Sequence, residues 1–245
     1  MIPVPRRPQK LTVALPGSLT KDIPHLREKT SRIGLVGRTL AIFRVEEVLI
    51  YNDQPSDHAS RDPQLFEKIL RYQETPQYLR RLLFPMDPDL QFTGILPPLR
   101  IPSHPDRIEP GPGQIREGLV VATGRTGSRV EAGYTQTVNT GIRLPMKKRV
   151  TVRITRVKPT VEAEMVELDR LRIYWGYKVT REDASLADTI KKAEKDLTVS
   201  TSKKGRSILD VMTNFRPRWL ASKRPLVLFG SPTFLPMARQ VPMSS

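Results

Sequence analysis

Residues 11–18 read LTVALPGS, a short apolar run of β-forming residues that ends at a proline and a glycine. Such a run predicts a buried strand followed by a loop. Residues 26–43 carry apolar side chains at roughly 3.6-residue spacing, which predicts a helix, and EVLIY at 47–51 predicts a second strand. A strand, a helix and a second strand form a βαβ unit, so the two strands should be parallel. The start of the chain therefore indicates an α/β domain.

The α/β pattern continues downstream and resumes after a different middle segment. Residues 63–84 predict two short helices rather than one, because Pro76 interrupts their apolar face. After residue 168 the pattern predicts three strands and one helix, at 173–179, 196–200, 226–229 and 185–195. The predicted fold class is α/β, with one parallel sheet assembled from segments on both sides of the middle segment.

The middle segment begins with a proline-rich stretch and then becomes strongly basic. Eight prolines between residues 85 and 113 indicate a linker. Residues 116–158 show short alternating stretches separated by glycines, which predict a small antiparallel β structure such as a partly open barrel. Residues 111–160 contain ten Lys or Arg and two acids, so a fifth of the chain carries half of its net charge of +16.

The basic charge limits the classes of partner. Lys and Arg total 41 against 25 acids, and an excess of this size favours polyanions through counterion release. Nucleic acid is the first expectation, and the alternatives are an anionic membrane surface and a solvated basic surface. No apolar run approaches the ~20 residues of a membrane span, and the first residues lack the apolar segment of a signal peptide. We therefore predict a cytoplasmic protein with no membrane partner.

Metal and cysteine chemistry are disfavoured. The chain has no cysteine, which excludes disulfides, thiolate catalysis and cysteine zinc sites. Its three histidines, His25, His58 and His104, lie far apart in turn-rich segments and are better explained as solvated loop residues than as metal ligands. We predict no metal.

The basic segment supplies the candidate nucleic-acid contacts. Arginine can hold a phosphate through two parallel hydrogen bonds, and a tyrosine can stack on a base. The candidates are Arg116, Arg125, Arg129, Tyr134, Arg143, Lys147, Lys148 and Arg149, followed by Arg153. Because the charge is so one-sided, contact with RNA or DNA is favoured over the alternative, a solvated barrel rim.

Two loops follow predicted strands and carry small polar residues. One covers residues 199–206, VSTSKKGR, and the other covers residues 228–232, LFGSP. Ligands of open α/β sheets bind at the carboxyl ends of parallel strands, where small residues let the backbone approach. A ligand site and an ordinary turn after a strand both fit these residues.

Seven short motifs occur in an order that resembles a known family. They are LTVALPGS (11–18), PQYLRR (76–81), DLQFTG (89–94), REGLVV (116–121), YWGY (174–177), STSKKG (200–205) and LVLFGSP (226–232). Together they resemble the SPOUT methyltransferase superfamily, in the archaeal and eukaryotic branch where an OB-like β domain is inserted into the α/β domain. The resemblance implies an S-adenosylmethionine-dependent RNA methyltransferase with a trefoil-knotted sheet. It further implies a homodimer that acts on ribosomal RNA, with N3 of a uridine as the target.

The resemblance also implies roles for individual residues. The cofactor-binding residues would be Thr201, Ser202, Gly205, Phe229, Gly230, Ser231 and Pro232. Gly34, Arg38 and Phe43 resemble the first motif of the superfamily, whose arginine often lies near the methyl acceptor, so Arg38 is the catalytic candidate. A helix arginine in a salt bridge is the alternative interpretation of Arg38.

The resemblance divides the chain into four parts and ends before a family motif. We predict a mobile tail at 1–10, two parts of a SPOUT domain at 11–88 and 169–245, and the inserted basic OB-like domain with its linker at 89–168. Residues 233–245 lack the Asn-Thr-x-Pro-x-Gln-Gly motif that family members carry in the threaded part of the knot. A shortened domain with an incomplete knot is therefore expected, and a non-catalytic RNA-binding protein is the alternative function.

Overall fold

The computed structural model describes residues 5–54, 60–106, 109–184 and 186–231, which form two compact units. The barrel unit comprises residues 5–6, 72–91, 98–106 and 109–176. The sheet unit comprises residues 7–54, 60–71, 92–97, 177–184 and 186–231. His58, Pro232 and residues 233–245, on which some of the predictions fall, lie outside the described residues.

The described residues contain ten strands and five α-helices. The strands are β1 Thr12–Pro16, β2 Glu47–Tyr51, β3 Ile115–Thr123, β4 Ser128–Glu131, β5 Val138–Thr140, β6 Arg149–Arg156, β7 Glu162–Met165, β8 Lys178–Glu182, β9 Leu197–Ser200 and β10 Pro225–Leu228. The helices are α1 Leu26–Ile42, α2 Asp62–Glu74, α3 Gln77–Leu83, α4 Leu186–Lys192 and α5 Ile208–Ala221. Short 3₁₀ turns lie at Pro88–Leu90, Thr93–Ile95 and Leu168–Arg170. The two short helices predicted on either side of Pro76 are confirmed as α2 and α3.

The sheet unit is built on five parallel strands in the order β8-β2-β1-β10-β9. β1 pairs with β2 in register from Thr12 opposite Glu47 to Pro16 opposite Tyr51, so the predicted parallel βαβ unit is confirmed. β10 pairs with the other side of β1 and with β9. The sheet therefore combines strands from both sides of the middle segment, as the sequence predicts.

One face of the sheet packs against α4. Ala14 and Leu228 are buried in a cluster against which Leu186 and Ile190 of α4 also pack. Tyr51 belongs to the same cluster. Tyr51 and Leu228 are the last residues of β2 and β10, so this cluster reaches the carboxyl ends of these two strands.

The segment before β8 differs from the predicted strand at 173–179. β8 begins only at Lys178, and Gly176 has a φ of +135°, which interrupts an extended strand. Tyr174 and Tyr177 are buried, at 2% and 3% exposure, without belonging to a strand. The apolar residues that suggested a strand are buried in an irregular segment instead.

Helix α5 has no counterpart among the predicted elements. Ser207 begins it by accepting a hydrogen bond from the N–H of Leu209 (3.3 Å). Pro217 lies inside the helix, where a proline removes one backbone hydrogen bond. None of the residues of α5 is buried. The signal for this helix was nevertheless present in the sequence, because apolar residues recur at helical spacing at Ile208, Val211, Met212, Phe215 and Trp219.

The barrel unit contains a closed barrel of five strands in the order β3-β4-β5-β7-β6. The predicted small β structure is confirmed, but the barrel is closed rather than partly open, because β3 pairs with β6 from Ile115 opposite Arg153 to Leu119 opposite Arg149. β5 and β7 run parallel, and the other neighbouring strands run antiparallel. Branched side chains dominate the core, which includes Val120, Val130, Val138, Val150, Val152, Ile154 and Val161.

Residues 5–10 differ from the expected mobile tail because they make defined contacts. In the barrel unit, the N–H of Arg6 donates to the carbonyl oxygen of Arg172 (2.8 Å). In the sheet unit, Nζ of Lys10 pairs with Oε1 of Glu47 (3.0 Å). Each of these contacts lies within one unit.

Within the described residues, no helix combines the length and the apolar character needed to cross a bilayer. No group of three or more His, Cys, Asp or Glu side chains in that part of the chain is placed to hold a metal ion.

His104 differs from the solvated loop residue that the sequence suggests. Its Nε2 lies 2.7 Å from the carbonyl oxygen of Glu74, and burial lowers its pKa to about 4.

Candidate functional site

The carboxyl ends of β2, β1, β10 and β9 lie at one side of the sheet, which we call the carboxyl edge. It comprises residues 16–18, 51–53, 200–205 and 229–231. Thr201 donates its backbone N–H and its hydroxyl to the carbonyl oxygen of Leu228 (2.9 and 3.1 Å). Phe229 donates its N–H to the carbonyl oxygen of Ala14 (3.0 Å). The structure thus brings the two loops that follow β9 and β10 together.

Tyr51, the last residue of β2, supports the carboxyl edge through its hydroxyl. The side chain is 1% exposed, and its hydroxyl donates to the carbonyl oxygen of Phe229 (2.8 Å). Burial raises the pKa of Tyr51, and the charge of Asp53 adds to the effect, so the phenol remains a donor. Sequence reasoning missed this residue. The available signal was its position as the last apolar residue of a predicted strand, directly before Asn52.

Two serines and an aspartate form a second connection at the carboxyl edge. Asp53 accepts hydrogen bonds from the backbone N–H and the hydroxyl of Ser18 (3.0 and 2.5 Å). The hydroxyl oxygen of Ser18 lies 3.1 Å from that of Ser231, and both serines are 7% exposed. Because Ser18 gives its proton to Asp53, Ser231 is the donor in this contact. Ser18 and Asp53 were not among the predicted site residues, although each follows a predicted strand.

The described residues leave the space beside Gly230 open. A Cβ built on Gly230 would meet none of their non-adjacent heavy atoms within 4 Å, and Phe229 is 43% exposed. The backbone at this position is therefore accessible to a ligand. Ser202 and Gly205 lie in an exposed turn, in which the N–H of Gly205 donates to the carbonyl oxygen of Ser202 (3.1 Å).

Arg38 lies away from the carboxyl edge within one chain. Its helix, α1, ends at Ile42, and the following Glu46 donates its N–H to the carbonyl oxygen of Leu11 at the opposite edge of the sheet (2.9 Å). Arg38 is about 18 Å along the helix axis from the start of α1, at 1.5 Å per residue. Leu35 and Ile42, on the same face of α1, are 59% and 63% exposed. The structure does not bring Arg38 together with the predicted cofactor residues.

Gly34 and Phe43, the other two residues of the predicted first motif, have structural roles in α1: Gly34 allows close packing, and Phe43 caps the helix. A Cβ on Gly34 would lie 2.7 Å from Cδ2 of Leu96 and 2.9 Å from Cδ of Pro97, so a glycine lets this segment pack on α1. Phe43 is the C-cap residue of α1. Its carbonyl oxygen accepts a hydrogen bond from Nε of Arg7 (2.9 Å).

Two of the predicted nucleic-acid contacts are buried in the barrel unit. Arg116 and Tyr134 are 2% and 7% exposed. The guanidinium of Arg116 lies 4.8 Å from the ring centre of Tyr134, and its Nε donates to the tyrosine hydroxyl (3.1 Å). That hydroxyl donates in turn to Oε1 of Gln114 (2.9 Å). In this position Tyr134 has no free ring face for a base, and neither residue lies at the surface of the barrel unit.

Arg149 has two carboxylate partners. Its terminal nitrogens pair with Glu74 (2.7 and 2.9 Å), and its Nε pairs with Glu117 (2.8 Å). An arginine that already holds two carboxylates has few donors left for a phosphate. Arg149 is therefore a structural residue of the barrel unit in this geometry.

The other five predicted contacts are exposed and lie close together in the barrel. They are Arg125, Arg129, Arg143, Lys147 and Lys148. Arg125 is in the hairpin between β3 and β4, and Arg129 is on β4. Arg143, Lys147 and Lys148 are in the loop between β5 and β6. The structure thus separates the eight predicted residues into three held inside the barrel unit and five at its surface.

A parallel α/β sheet with a polar carboxyl edge, accompanied by a basic β-barrel, is the architecture of a protein that can bind a small ligand and a polyanion. Residues 10–240 match the family described as "Putative RNA methyltransferase". The chain belongs to this family, and the RNA methyltransferase relationship predicted from the seven motifs is confirmed.

The names of two similar proteins are consistent with the family match. The chain is 32% identical to the mouse protein named 28S rRNA (uridine-N(3))-methyltransferase, over 91% of this chain and 63% of the mouse protein. It is also 32% identical to the human protein of the same name, over 91% of this chain and 64% of that protein. An uncharacterized protein from Halobacterium salinarum is 30% identical over 90% of this chain and 77% of its own length. The chain thus spans less than two thirds of the length of the mouse and human relatives.

Proposed function

We propose that this chain transfers a methyl group from S-adenosylmethionine to N3 of a uridine in ribosomal RNA. The observation that carries the proposal is the family match over residues 10–240, which includes all of the described carboxyl edge. The names of the mouse and human relatives support ribosomal RNA and uridine N3 as substrate and target. The net charge of +16 supports a polyanionic partner. A cytoplasmic location stays a prediction.

The residues of the carboxyl edge fit the proposed cofactor. The open space beside Gly230 leaves room for a ligand against the backbone, and the exposed ring of Phe229 offers an apolar surface to an adenine. Thr201 and Ser231 add hydroxyl groups at the same edge. We propose that Thr201, Ser202, Gly205, Phe229, Gly230, Ser231 and Pro232 hold the cofactor. When bound, S-adenosylmethionine supplies an electrophilic methyl group on its sulfonium.

The contribution of the chain is to hold this edge in one conformation. Tyr51 binds the carbonyl oxygen of Phe229, and Ser18 connects Asp53 to Ser231. These contacts fix the backbone of residues 229–231 before a ligand arrives, which reduces the entropy lost on binding. A uridine acceptor must also lose its N3 proton, so the site needs a base or a field that stabilises the anion.

We further propose that the chain forms a homodimer through α1. Leu35, Ile42 and Phe43 are between 57% and 63% exposed and lie within about two turns at the C-terminal end of α1, and a cluster of exposed apolar side chains favours burial against a partner. Arg38 lies on the same face between Leu35 and Ile42. Because Arg38 is far from the carboxyl edge of its own chain, its predicted role in methyl transfer would be exerted across the dimer interface.

The dimer proposal predicts the effect of charges on α1. The variant Leu35→Glu/Ile42→Glu is expected to sediment as a monomer, whereas the parent chain sediments as a dimer, because two carboxylates cannot be buried in an apolar interface without a large cost. Analytical ultracentrifugation measures the difference. Leu82→Glu/Leu168→Glu, which alters two exposed leucines of the barrel unit, is the matched control and should remain dimeric. A monomeric parent chain would refute the proposed dimer.

We propose that the barrel is an OB-like domain inserted at 89–168 between SPOUT parts at 11–88 and 169–245, preceded by the N-terminal segment 1–10. The strand order β3-β4-β5-β7-β6 and the parallel pairing of β5 with β7 support a small Greek-key barrel of this kind. The trefoil knot implied by the resemblance depends on residues after Ser231 and stays a prediction.

The cofactor proposal predicts the effect of Gly230→Val. Because a side chain at Gly230 would meet no atom of the described residues within 4 Å and the residue has a φ that ordinary residues adopt, the fold should be unchanged, while the ligand space is reduced. We expect at least a tenfold loss of affinity for S-adenosylmethionine in calorimetric titration, about 1.4 kcal/mol, with an unchanged melting temperature. Gly94→Val is the control, because a Cβ on Gly94 also meets no atom within 4 Å.

The cofactor titration of the parent chain, combined with a methylation assay, separates the methyltransferase from the non-catalytic RNA-binding protein. If the parent chain binds S-adenosylmethionine and methylates ribosomal RNA, mass spectrometry of the nucleosides should show 3-methyluridine. If the folded parent chain binds RNA but not S-adenosylmethionine, the methyltransferase proposal is refuted for this polypeptide and the binding-only alternative holds. Equal cofactor affinity of the parent chain and Gly230→Val would remove Gly230 from the site.

A further inference from the structure

One end of the barrel is formed by two loops that are held together by hydrogen bonds. The hairpin 124–127 connects β3 to β4, and the loop 141–148 connects β5 to β6. Thr123 donates its hydroxyl to the carbonyl oxygen of Leu144 (2.7 Å), and the N–H of Leu144 donates to the hydroxyl oxygen of Ser128 (2.8 Å). Both ends of the hairpin are therefore attached to the middle of the second loop.

Backbone contacts hold these two loops against each other and against β3. Gly127 has a φ of +146°, and a Cβ there would lie 1.9 Å from the carbonyl oxygen of Thr140, so the hairpin packs directly against the start of the second loop. At the other end of that loop, the N–H of Lys147 donates to the carbonyl oxygen of Val120 (2.9 Å), and the N–H of Val120 donates to that of Lys148 (3.0 Å). The cationic side chains thus project from a fixed backbone.

The arginines of the barrel differ in whether they are paired. Arg153 and Arg156 pair with Glu164 and Glu162 across β6 and β7. Arg125, Arg129, Arg143, Lys147 and Lys148 form no ion pair with any described residue. Residues 118–130 and 132–161 contain no acid at all. The positive charge of these five side chains therefore stays available to a ligand.

Two apolar side chains are exposed among these cations. Ile142 and Met146 are 50% and 54% exposed and alternate along the loop with Arg143 and Lys147. A ligand that matches this surface carries regularly spaced negative charges and apolar faces. Single-stranded RNA has both, because its phosphates alternate with unstacked bases. A duplex keeps its base faces stacked inside and would leave Ile142 and Met146 unused.

We propose that this end of the barrel, the loop-end surface formed by residues 124–129 and 141–148, binds an unpaired stretch of RNA. The phosphates contact Arg125, Arg129, Arg143, Lys147 and Lys148, and the bases contact Ile142 and Met146. The proposal rests on the RNA part of the proposed function and adds the form of the RNA and the surface that holds it. The surface involves the β3–β4 and β5–β6 loops and excludes the ion-paired face of β6 and β7.

The first test compares two pairs of arginines on the same barrel. Binding of the full chain to a fluorescein-labelled 12-nucleotide oligouridine is measured by anisotropy from 50 to 300 mM KCl. Arg125→Ala/Arg143→Ala should weaken binding at least tenfold and lower the slope of log K against log salt by about 1.4, since each lost phosphate contact on a single strand removes ~0.7. Arg153→Ala/Arg156→Ala removes the same charge and should change affinity less than threefold. Equal losses in the two variants would overturn the proposal.

The second test concerns the apolar side chains. Ile142→Ser/Met146→Ser should lower affinity for the oligouridine several-fold without changing the salt slope, and should leave binding to a blunt RNA duplex of the same length unchanged. Leu82→Ser/Leu168→Ser is the control, because these residues are similarly exposed elsewhere in the barrel unit. If Ile142→Ser/Met146→Ser binds the oligouridine and the duplex with the same affinities as the parent chain, the assignment of bases to Ile142 and Met146 is overturned.

A cofactor titration separates this proposal from the proposed function. All four variants should bind S-adenosylmethionine like the parent chain, because none lies at the carboxyl edge. If no protein binds the cofactor but the RNA differences persist, the loop-end surface stands and the methyltransferase proposal fails. If the cofactor binds and the loop-end variants bind RNA like the parent chain, the loop-end surface is not an RNA contact, and a polypeptide partner becomes the explanation of its exposed groups.

Discussion

Replacement of Arg149 by methionine is expected to lower the free energy of unfolding of the barrel unit by about 3–5 kcal/mol. Arg149 holds Glu74 with both terminal nitrogens and Glu117 with Nε, at 2.7 to 2.9 Å. The side chains of Glu74 and Glu117 are only 12% and 5% exposed. Without the arginine, two carboxylates would remain largely removed from water with no opposite charge, which is more costly than the loss of the pairs themselves.

The hydrogen bonds of Arg149 explain why a lysine at this position should restore only part of the free energy of unfolding. Burial alone would lower the pKa of its guanidinium, but the charges and hydrogen bonds of Glu74 and Glu117 raise the pKa above its usual value. Glu117 also accepts hydrogen bonds from Thr151 and Trp175 (2.7 and 2.5 Å), so its position is fixed. An ammonium group cannot reproduce three directed bonds to two carboxylates. Arg149→Lys should therefore lie between the parent chain and Arg149→Met.

Urea unfolding measures this effect if the signal comes from the barrel unit alone. Trp175 lies in the barrel unit and Trp219 in the sheet unit, so fluorescence in a Trp219→Phe background reports the barrel. Arg153→Met is the control, and its exposed pair with Glu164 should contribute about 1 kcal/mol or less. Neutralising both carboxylates in Arg149→Met with Glu74→Gln and Glu117→Gln should recover part of the loss. A loss below 1 kcal/mol for Arg149→Met would show that the carboxylates are not effectively buried.

Acidification is expected to remove on the order of 3 kcal/mol from the stability of the sheet unit as Glu47 becomes protonated. Burial by itself would raise the pKa of Glu47, but hydrogen bonds from Lys195, Lys10 and Thr12 lower it to about 2. The Nζ of Lys195 lies 2.5 Å from Glu47, and the lysine side chain is 3% exposed. Because the folded pKa is below the unfolded value, the contribution is complete above about pH 5 and is lost as the pH falls toward 2.

Glu47→Gln tests the origin of this pH dependence. The variant should lose most of this stability at pH 7, because Lys195 is left buried without its carboxylate, and its stability should then fall less steeply between pH 5 and pH 2. Trp219 fluorescence in a Trp175→Phe background reports the sheet unit. Asp22→Asn is the control, since Asp22 and Arg32 form an exposed pair. Parallel acid profiles for the parent chain and Glu47→Gln would assign the pH dependence to other groups.

Local patterns predicted the sheet well. The run of apolar residues in β1, the helical spacing in α1 and the apolar run in β2 each lie within one stretch of about 20 residues, so burial leaves a visible period in the sequence. The strand at 173–179 was misplaced for the same physical reason. Tyr174 and Tyr177 are buried there, but burial of apolar residues does not require a strand, and Gly176 interrupts one.

Charge patterns predicted the basic barrel but not whether each arginine is buried, ion-paired or exposed. Arg116, Arg149 and Arg143 look alike in the sequence. In the structure, Arg116 lies over the ring of Tyr134, Arg149 holds Glu74, and Arg143 is exposed in a loop. The difference arises from contacts between residues that are far apart in the chain, since Glu74 and Arg149 are separated by 75 positions. No local pattern records such a contact.

The amino-acid sequence alone was enough to identify an α/β chain with a basic β segment and membership of an RNA methyltransferase family, because these properties depend on composition, local periodicity and the order of short motifs. Tertiary structure was needed to show that β1 lies between β2 and β10 and that Tyr51 and Ser18 reach residues 229–231. It was also needed to show which cations remain unpaired. Strand order and side-chain pairing result from the packing of distant segments, and their free energies are realised only when the chain has folded.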